Sequence, residues 1–217
     1  FTVDRYENGC ELLTIGGDDR YLVVPEGGET PTGLDADITV LQQPVENIYL
    51  VATSAMDLFV SLDALDSIAL SGTKADGWYI DAAKQAMQEG KIAYAGKYSA
   101  PDYETIFDAD CGLAVESTMI YHTPEVKEQL EKLSVPVLVE RSSYESHPLG
   151  RMEWIKLYGA LLGKEAQAEE IFQNQLASLS GVLEQPGTGK TAAFFYITAN
   201  GAANVRKSND YVAKMIE

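Results

Sequence analysis

Residues 112–139 have the sequence GLAVESTMIYHTPEVKEQLEKLSVPVLV. The apolar runs Gly112–Glu116 and Val135–Val139 predict two strands. Between them, Thr123–Leu133 predicts a helix, because Thr123-Pro124-Glu125 combines a capping residue with a proline in the first turn. A strand, a helix and a second strand in this order are typical of parallel sheets, so this stretch predicts an α/β fold.

The same alternation continues on both sides of this stretch. Further strands are predicted at Ile48–Ala52, Ile92–Ala95 and Ala192–Thr198, and further helices at Ala55–Leu65, Gly77–Glu89 and Ala100–Phe107, the last with its start at Ser99-Ala100-Pro101. Ligands of such sheets bind beyond the carboxyl ends of the strands. The loops that begin at Thr53, Gly96, Ser117 and Glu140 are therefore the expected site.

Residues 1–46 predict a β-hairpin extension before the α/β region. Glu11–Ile15 and Tyr21–Val24 are β-type runs, and Gly16-Gly17-Asp18-Asp19 between them has turn composition. The first residue is Phe1 rather than Met, so we expect that a leader or N-terminal segment has been removed.

A long helical pattern follows the α/β region. Apolar residues recur at helical spacing from Pro148 to about Glu184, which predicts one helix of roughly 50 Å. A helix of this length suits a rigid connection between two lobes. We therefore expect an N-terminal lobe at 47–147, an inter-lobe helix at 148–185 and the start of an incomplete C-terminal lobe at 190–217, which would lean on the first lobe or on another chain.

The charge balance excludes some classes of partner. The 217 residues carry a formal net charge of −17, and 46% of them are hydrophobic. Nucleic-acid binding and docking on an anionic membrane both need clustered Lys and Arg, so neither is expected. Cys10 and Cys111 are too few for a disulfide scaffold; a buried thiol at Cys111 and a disulfide between the two in an extracytoplasmic protein both stay open.

Aromatic and cationic residues accumulate beside the predicted strand ends. They suit a broad cleft for a large, partly planar and anionic ligand. The candidate ligand-binding residues are Ser54, Lys74, Trp78, Lys97, Tyr98, Met119, Tyr121, Arg141 and Tyr144, with Arg206 facing them from the second lobe.

Metal and catalytic sites have weaker support. His122 and His147 could bind a metal with Glu116 or Glu145, but they lie 25 positions apart and the chain has no third histidine. No Gly-x-Ser-x-Gly motif and no distinctive carboxylate pair is present. We therefore expect no catalytic residues, no resident metal and no resident cofactor.

Four segments, in order, resemble a known family. Pro44–Val51 resembles its first strand, P-x-R-I-V, with Asn47 in place of Arg. Asp102–Phe107 resembles N-L-E-x-I-L, and Leu130–Val137 resembles L-x-x-x-G-I-P-V with Ser134 in place of Gly. Leu157–Glu165 with Ala168 resembles L-G-x-L-L-G-x-E-x-x-A. The family is that of the ABC-importer solute-binding proteins that carry ferric siderophores, haem or cobalamin.

The resemblance implies two Rossmann-like α/β lobes with mainly parallel sheets, joined by one long helix. The ligand would bind in the cleft between the lobes and pass to the permease subunits of the importer without any enzymatic step. Glu104 would dock on the permease. The protein would be extracytoplasmic, either periplasmic or a cell-surface lipoprotein, and would contact the membrane only through an upstream lipid anchor. The alternative is a zinc- or manganese-binding protein of a metal importer.

Overall fold

The computed structural model describes residues 1–183, 185–187 and 189–216. Its first element is a four-stranded sheet in the order β1-β2-β3-β4. The strands are β1 (Thr2–Arg5), β2 (Glu11–Ile15), β3 (Asp19–Val24) and β4 (Ile38–Gln42). The predicted hairpin is the β2–β3 pair. Its two flanking strands are not predicted by the sequence pattern, and β4 runs parallel to β3.

Residues 48–140 form the predicted α/β unit. The strands are β5 (Ile48–Leu50), β6 (Ile68–Ser71), β7 (Ala93–Tyr94), β8 (Gly96–Lys97), β9 (Ala100–Pro101), β10 (Ala114–Ser117) and β11 (Val137–Glu140). The helices are α1 (Met56–Ser61), α2 (Asp81–Gln88), α3 (Tyr103–Asp108) and α4 (Pro124–Lys132). A parallel sheet has the order β11-β10-β5-β6-β7, while β8 and β9 form a small hairpin.

Side-chain alternation along the strands builds two hydrophobic layers. Leu50, Val115 and Leu138 face a core shared with α1, α2 and the inner face of the N-terminal sheet. Tyr49 and Ala114 face the opposite layer, which α3 and α4 cover. The N-terminal sheet is therefore part of the main core and not the peripheral extension that we expected.

The structure differs from the prediction at one helix start and at one strand. The segment Ala100–Pro101 is a strand, and α3 begins only at Tyr103, with Asp102 as the cap: its carboxylate Oδ1 accepts a hydrogen bond of 3.2 Å from the Thr105 amide. Strand β6 was missed, because Ile68-Ala69-Leu70-Ser71 is too short to distinguish from the end of the preceding helix.

The predicted single helix of 148–185 is two helices. α5 (Pro148–Leu162) ends at Gly163, which has a left-handed φ of 67°, and α6 (Glu165–Leu183) follows directly. The Lys156 Nζ lies 2.9 Å from Glu169 Oε2 and 4.2 Å from the centre of the Phe172 ring. Since 13 residues of one straight helix would span about 20 Å, α6 turns back along α5. Glu184, in the predicted helix, lies outside the described residues.

The close packing of α5 on α6 explains why the sequence pattern does not distinguish two helices from one. Trp154, Leu157 and Tyr158 of α5 are fully buried, as is Ala168 of α6. Apolar residues therefore lie on several faces of α5, and the periodicity alone does not reveal the turn at Gly163.

The C-terminal residues form a separate hairpin and a short helix. The antiparallel strands β12 (Phe195–Ile197) and β13 (Ala203–Val205) are followed by α7 (Tyr211–Ile216). The Arg151 guanidinium of α5 lies 4.2 Å from the Tyr211 ring centre, so α7 packs against α5. Within the described residues, no helix combines the length and apolarity that a membrane crossing requires.

Candidate functional site

A groove of about 630 Å³ lies at the carboxyl ends of the parallel strands. It is lined from the loops after β5, β6, β8, β10 and β11: Val51, Thr53, Ser54, Gly72, Thr73, Lys97, Tyr98, Ser117, Thr118, Met119, Glu140, Ser143 and Tyr144. The chain runs from β5 outward to β7 and then crosses to β10 on the other side of β5. The loops after β5 and β10 therefore diverge, which opens a crevice where such sheets bind ligands.

Glu140 forms part of the groove wall at the end of β11. The residue is only 3% exposed, yet both carboxylate oxygens have donors. Ser54 Oγ donates to Oε2 at 2.5 Å, and the Ser142 amide donates to Oε1 at 2.7 Å. These bonds connect the loop after β5 to the loop after β11 and hold the two sides of the groove together.

The β8–β9 hairpin carries Lys97 and Tyr98 to the groove. The first residue of this hairpin is held by β5, because the buried Tyr49 hydroxyl donates a 2.7 Å hydrogen bond to the Gly96 carbonyl. Lys97 is exposed and Tyr98 is half-buried, so both side chains are accessible to a ligand.

The opposite wall comes from the loops after β10 and β11. Met119 is 43% exposed and Tyr144 is 72% exposed. The hydroxyls of Tyr144 and Thr118 are 2.8 Å apart and hydrogen-bonded. This wall offers an aromatic ring, a thioether and hydroxyls, a combination suited to an organic ligand.

Five of the ten candidate ligand-binding residues therefore line one groove: Ser54, Lys97, Tyr98, Met119 and Tyr144. Trp78 does not, because it is buried and its Nε1 donates to Ser71 Oγ at 3.2 Å. Lys74 is also outside the groove lining, and its Nζ lies 5.4 Å from the centre of the Tyr94 ring. The sequence placed both residues near a strand end without indicating which way their side chains turn.

Arg141 and Tyr121 interact with each other and with the N-terminal sheet. Arg141 Nη2 donates a 2.7 Å hydrogen bond to the Tyr121 hydroxyl and lies 3.9 Å from Asp19 Oδ2. Neither residue belongs to the groove lining. The unrecognised packing of the β2–β3 turn on this lobe explains why Arg141 is drawn away.

Arg206 is part of the C-terminal hairpin region. Its Nη1 lies 3.1 Å from Asp210 Oδ2, and it lines a different hollow together with Phe194 and Val205. The structure therefore does not place Arg206 opposite the groove as we expected.

Glu116 is a buried carboxyl, which its sequence position alone does not predict. It is fully buried in β10, one residue before the strand ends, and neither carboxylate oxygen has a hydrogen-bond partner. Burial raises the pKa of Glu116 to about 8. Because the neutral form is favoured, the group is protonated at pH 7. An acidic residue inside an apolar strand run was the available signal.

The remaining candidate residues have simple environments. Glu104 is exposed in the first turn of α3. Cys10 and Cys111 are both buried free thiols in separate hydrophobic clusters, so they are not bonded to each other. In the part of the chain that the structure describes, no three His, Cys, Asp or Glu residues come together as a metal site.

Comparison with solved structures identifies the class of fold. The haem-binding protein HutB of Vibrio cholerae matches with a TM-score of 0.59 and 16% identity, over 74% of this chain and 58% of that one. The catecholate-siderophore binding protein VctP of the same organism matches with a TM-score of 0.62 and 16% identity, over 82% and 61%. The haem-binding protein RhuT from Roseiflexus sp. RS-1 gives 0.56 and 14%, over 79% and 62%. The chain has the α/β fold of these periplasmic binding proteins, which confirms the α/β class with a mainly parallel sheet that the resemblance implied.

A curated relative also matches most of this chain but only part of its own length. An uncharacterized lipoprotein of Methanocaldococcus jannaschii is 21% identical over 194 residues, which are 84% of this chain and 45% of the relative. The chain thus spans about half the length of the curated relative that it matches. No family model matches the chain.

Proposed function

We propose that this chain belongs to the solute-binding component of an ABC importer and binds a ferric siderophore, haem or a cobalamin-type compound. The observation that carries the proposal is the groove at the carboxyl ends of β5 and β10, which presents Tyr98, Met119 and Tyr144 to one space. The binding proteins of matching fold and the lipoprotein relative support an extracytoplasmic location. The protein binds and releases its ligand unchanged.

Residue chemistry supports an organic chelate as ligand. Tyrosine rings supply flat contact area with few rotatable bonds, so they bind a rigid ligand at low entropic cost. Hydroxyls of Ser54, Thr118 and Tyr144 add hydrogen-bonding groups around the same space. A bare metal ion would instead need several converging oxygen, nitrogen or sulfur ligands.

Equilibrium titration tests this function. The full-length protein, with its ligand removed, is titrated with a ferric trihydroxamate, a ferric tris-catecholate, haem, cobalamin and Zn²⁺. We expect saturable binding to one or more of the four organic complexes. Binding of Zn²⁺ alone, or of none of the five, would contradict the proposal.

Replacing Tyr98 with alanine is expected to weaken binding of the organic ligand by about tenfold, because the half-buried ring contributes contact area to the groove. Tyr79→Ala is the matched control, since Tyr79 is 99% exposed and outside the groove lining. Calorimetric titration of both variants measures the effect. Equal affinities in the two variants would remove Tyr98 from the site.

Glu104 is proposed to dock on the permease. It is exposed in the first turn of α3, outside the groove lining, and a carboxylate there can accept paired hydrogen bonds from an arginine of the partner. Glu104→Ala should leave ligand affinity unchanged and reduce uptake by cells several-fold. The check is transport of the labelled ligand beside titration of the purified variant; weakened ligand binding in a folded variant would contradict the docking role.

A further inference from the structure

An anion-binding cleft is expected to carry several cations, but the lining of this groove contains one cation and one carboxylate. Of the four candidate cations, Lys74, Arg141 and Arg206 lie outside its lining. Among the lining residues, all of which the structure describes, Lys97 is the only cation and Glu140 the only carboxylate. The lining of this groove, within the described residues, therefore carries no excess of positive charge.

The two charges lie on opposite sides of the groove. Lys97 follows β7, at one edge of the five-stranded sheet, and Glu140 ends β11, at the other edge. Four strand spacings of about 4.8 Å separate these edges in the sheet. A ligand that spans the groove thus meets a positive side at Lys97 and a negative side at Glu140.

Glu140 is built to remain an acceptor. It is held by two donors, the Ser54 hydroxyl and the Ser142 amide, an environment that suits a carboxylate. Two carboxylate oxygens offer about four acceptor positions, so these bonds leave room for a donor from the ligand. The Ser54 hydroxyl uses its one O–H to donate a hydrogen bond to Glu140. Toward the groove it can therefore only accept a hydrogen bond.

We propose that Glu140 makes this groove select neutral or positively charged chelates, with an amide, hydroxyl or ammonium donor over Ser54 and Glu140, and reject polyanionic ones. The inference rests on the proposed function and specifies its ligand class. A ferric trihydroxamate, rich in amide groups and neutral or cationic, fits this surface. A triply negative ferric tris-catecholate meets a buried like charge that Lys97 alone does not offset.

Isothermal titration of the full-length protein with three probes tests this selection. The probes are a ferric trihydroxamate that carries one ammonium group, the same chelate with that amine acetylated, and a ferric tris-catecholate. We expect the wild type to bind the ammonium form about tenfold more tightly than its acetylated form, since the two differ by one charge near the buried Glu140 carboxylate. This comparison needs no variant and so does not depend on one that folds.

The variant Glu140→Gln keeps the side-chain shape, and its amide can still bond to Ser54 and Ser142. It should abolish the preference for the ammonium form and raise affinity for the tris-catecholate by about tenfold. Glu128→Gln, at an exposed position of α4, removes one negative charge from the same chain with net charge −17 and should change neither.

The outcomes separate the two claims. If none of the chelates binds and haem and cobalamin also fail to bind, the proposed function falls and this inference falls with it. Where chelates bind, but the wild type treats the ammonium and acetylated forms alike, or Glu140→Gln shifts all three probes by one common factor, only the charge selection is overturned.

Discussion

Glu116→Gln is expected to be more stable than the wild type at pH 8. The difference between their free energies of unfolding should be larger at pH 8 than at pH 5, on the order of 3 kcal/mol. The Glu116 carboxyl is fully buried and has no hydrogen-bond partner. Its pKa is raised from 4.5 to about 8 because charging it would require burying an unpaired anion. The titratable neighbours that sense it are Tyr49 and Tyr103, whose own pKa values are raised by burial and, to a lesser extent, by Glu116.

The sign follows from the proton count. Between pH 4.5 and about 8 the folded protein holds a proton on Glu116 that the unfolded chain has lost. The contribution of Glu116 to the free energy of unfolding is therefore fully present below pH 4.5. It falls as the pH rises from 4.5 to about 8. Glutamine does not titrate, so the variant escapes that loss.

Urea unfolding from pH 4 to pH 9 measures the effect. The difference between the free energies of unfolding of Glu116→Gln and the wild type should widen steadily above pH 5. Glu128→Gln is the control, because it makes the same substitution at an exposed position of α4. Parallel curves for the wild type and Glu116→Gln would show that Glu116 is solvated or paired.

Gly159→Ala is expected to lower the free energy of unfolding by about 1–3 kcal/mol, although alanine is the better helix former. A Cβ at position 159 would lie 2.5 Å from the Ala168 Cβ and 3.2 Å from the Lys164 carbonyl oxygen. The helices α5 and α6 would have to separate, and both contribute to the main core.

Two further variants isolate this contact. Gly181→Ala, in α6, has no atom within 4 Å of the new Cβ and should stabilise by about 0.5–1 kcal/mol. Adding Ala168→Gly to Gly159→Ala removes the clashing methyl group and should restore part of the lost stability. Denaturant unfolding of the four proteins decides, and a stabilising Gly159→Ala would mean that α5 and α6 form one straight helix after all.

The α/β fold could be predicted from the sequence, because short apolar strands alternate clearly with helices that have a proline in the first turn. The predicted helix at Thr123–Leu133 is α4, and the predicted strands around it are β10 and β11. The turn between α5 and α6 was not predictable from periodicity, since a core helix such as α5 is apolar on several faces.

For the candidate site, the sequence indicated the loops but not the directions of side chains. Position after a strand was enough to bring Tyr98 and Tyr144 to the groove. It was not enough for Trp78, which Ser71 holds in the core, or for Arg141, which Tyr121 and Asp19 hold at the N-terminal sheet. These partners are distant in sequence or on unrecognised strands, so only the packed fold determines the outcome.

For Glu140 and Glu116, too, the sequence does not predict the environment of the side chain. Both lie at or next to the last residue of a short apolar strand, and their sequence contexts are alike. Glu140 has two donors beside it and Glu116 has none. The difference in their chemistry arises from neighbours that belong to other loops and strands.

Hydrogen–deuterium exchange with and without a bound chelate tests the central claim most directly, because it locates the ligand on the full-length protein. We expect slower exchange in the loops at 51–54, 72–73, 97–98, 117–119 and 140–144, which line the groove. Slower exchange confined to the N-terminal sheet or to the C-terminal hairpin, with these loops unchanged at saturating chelate, would contradict the account.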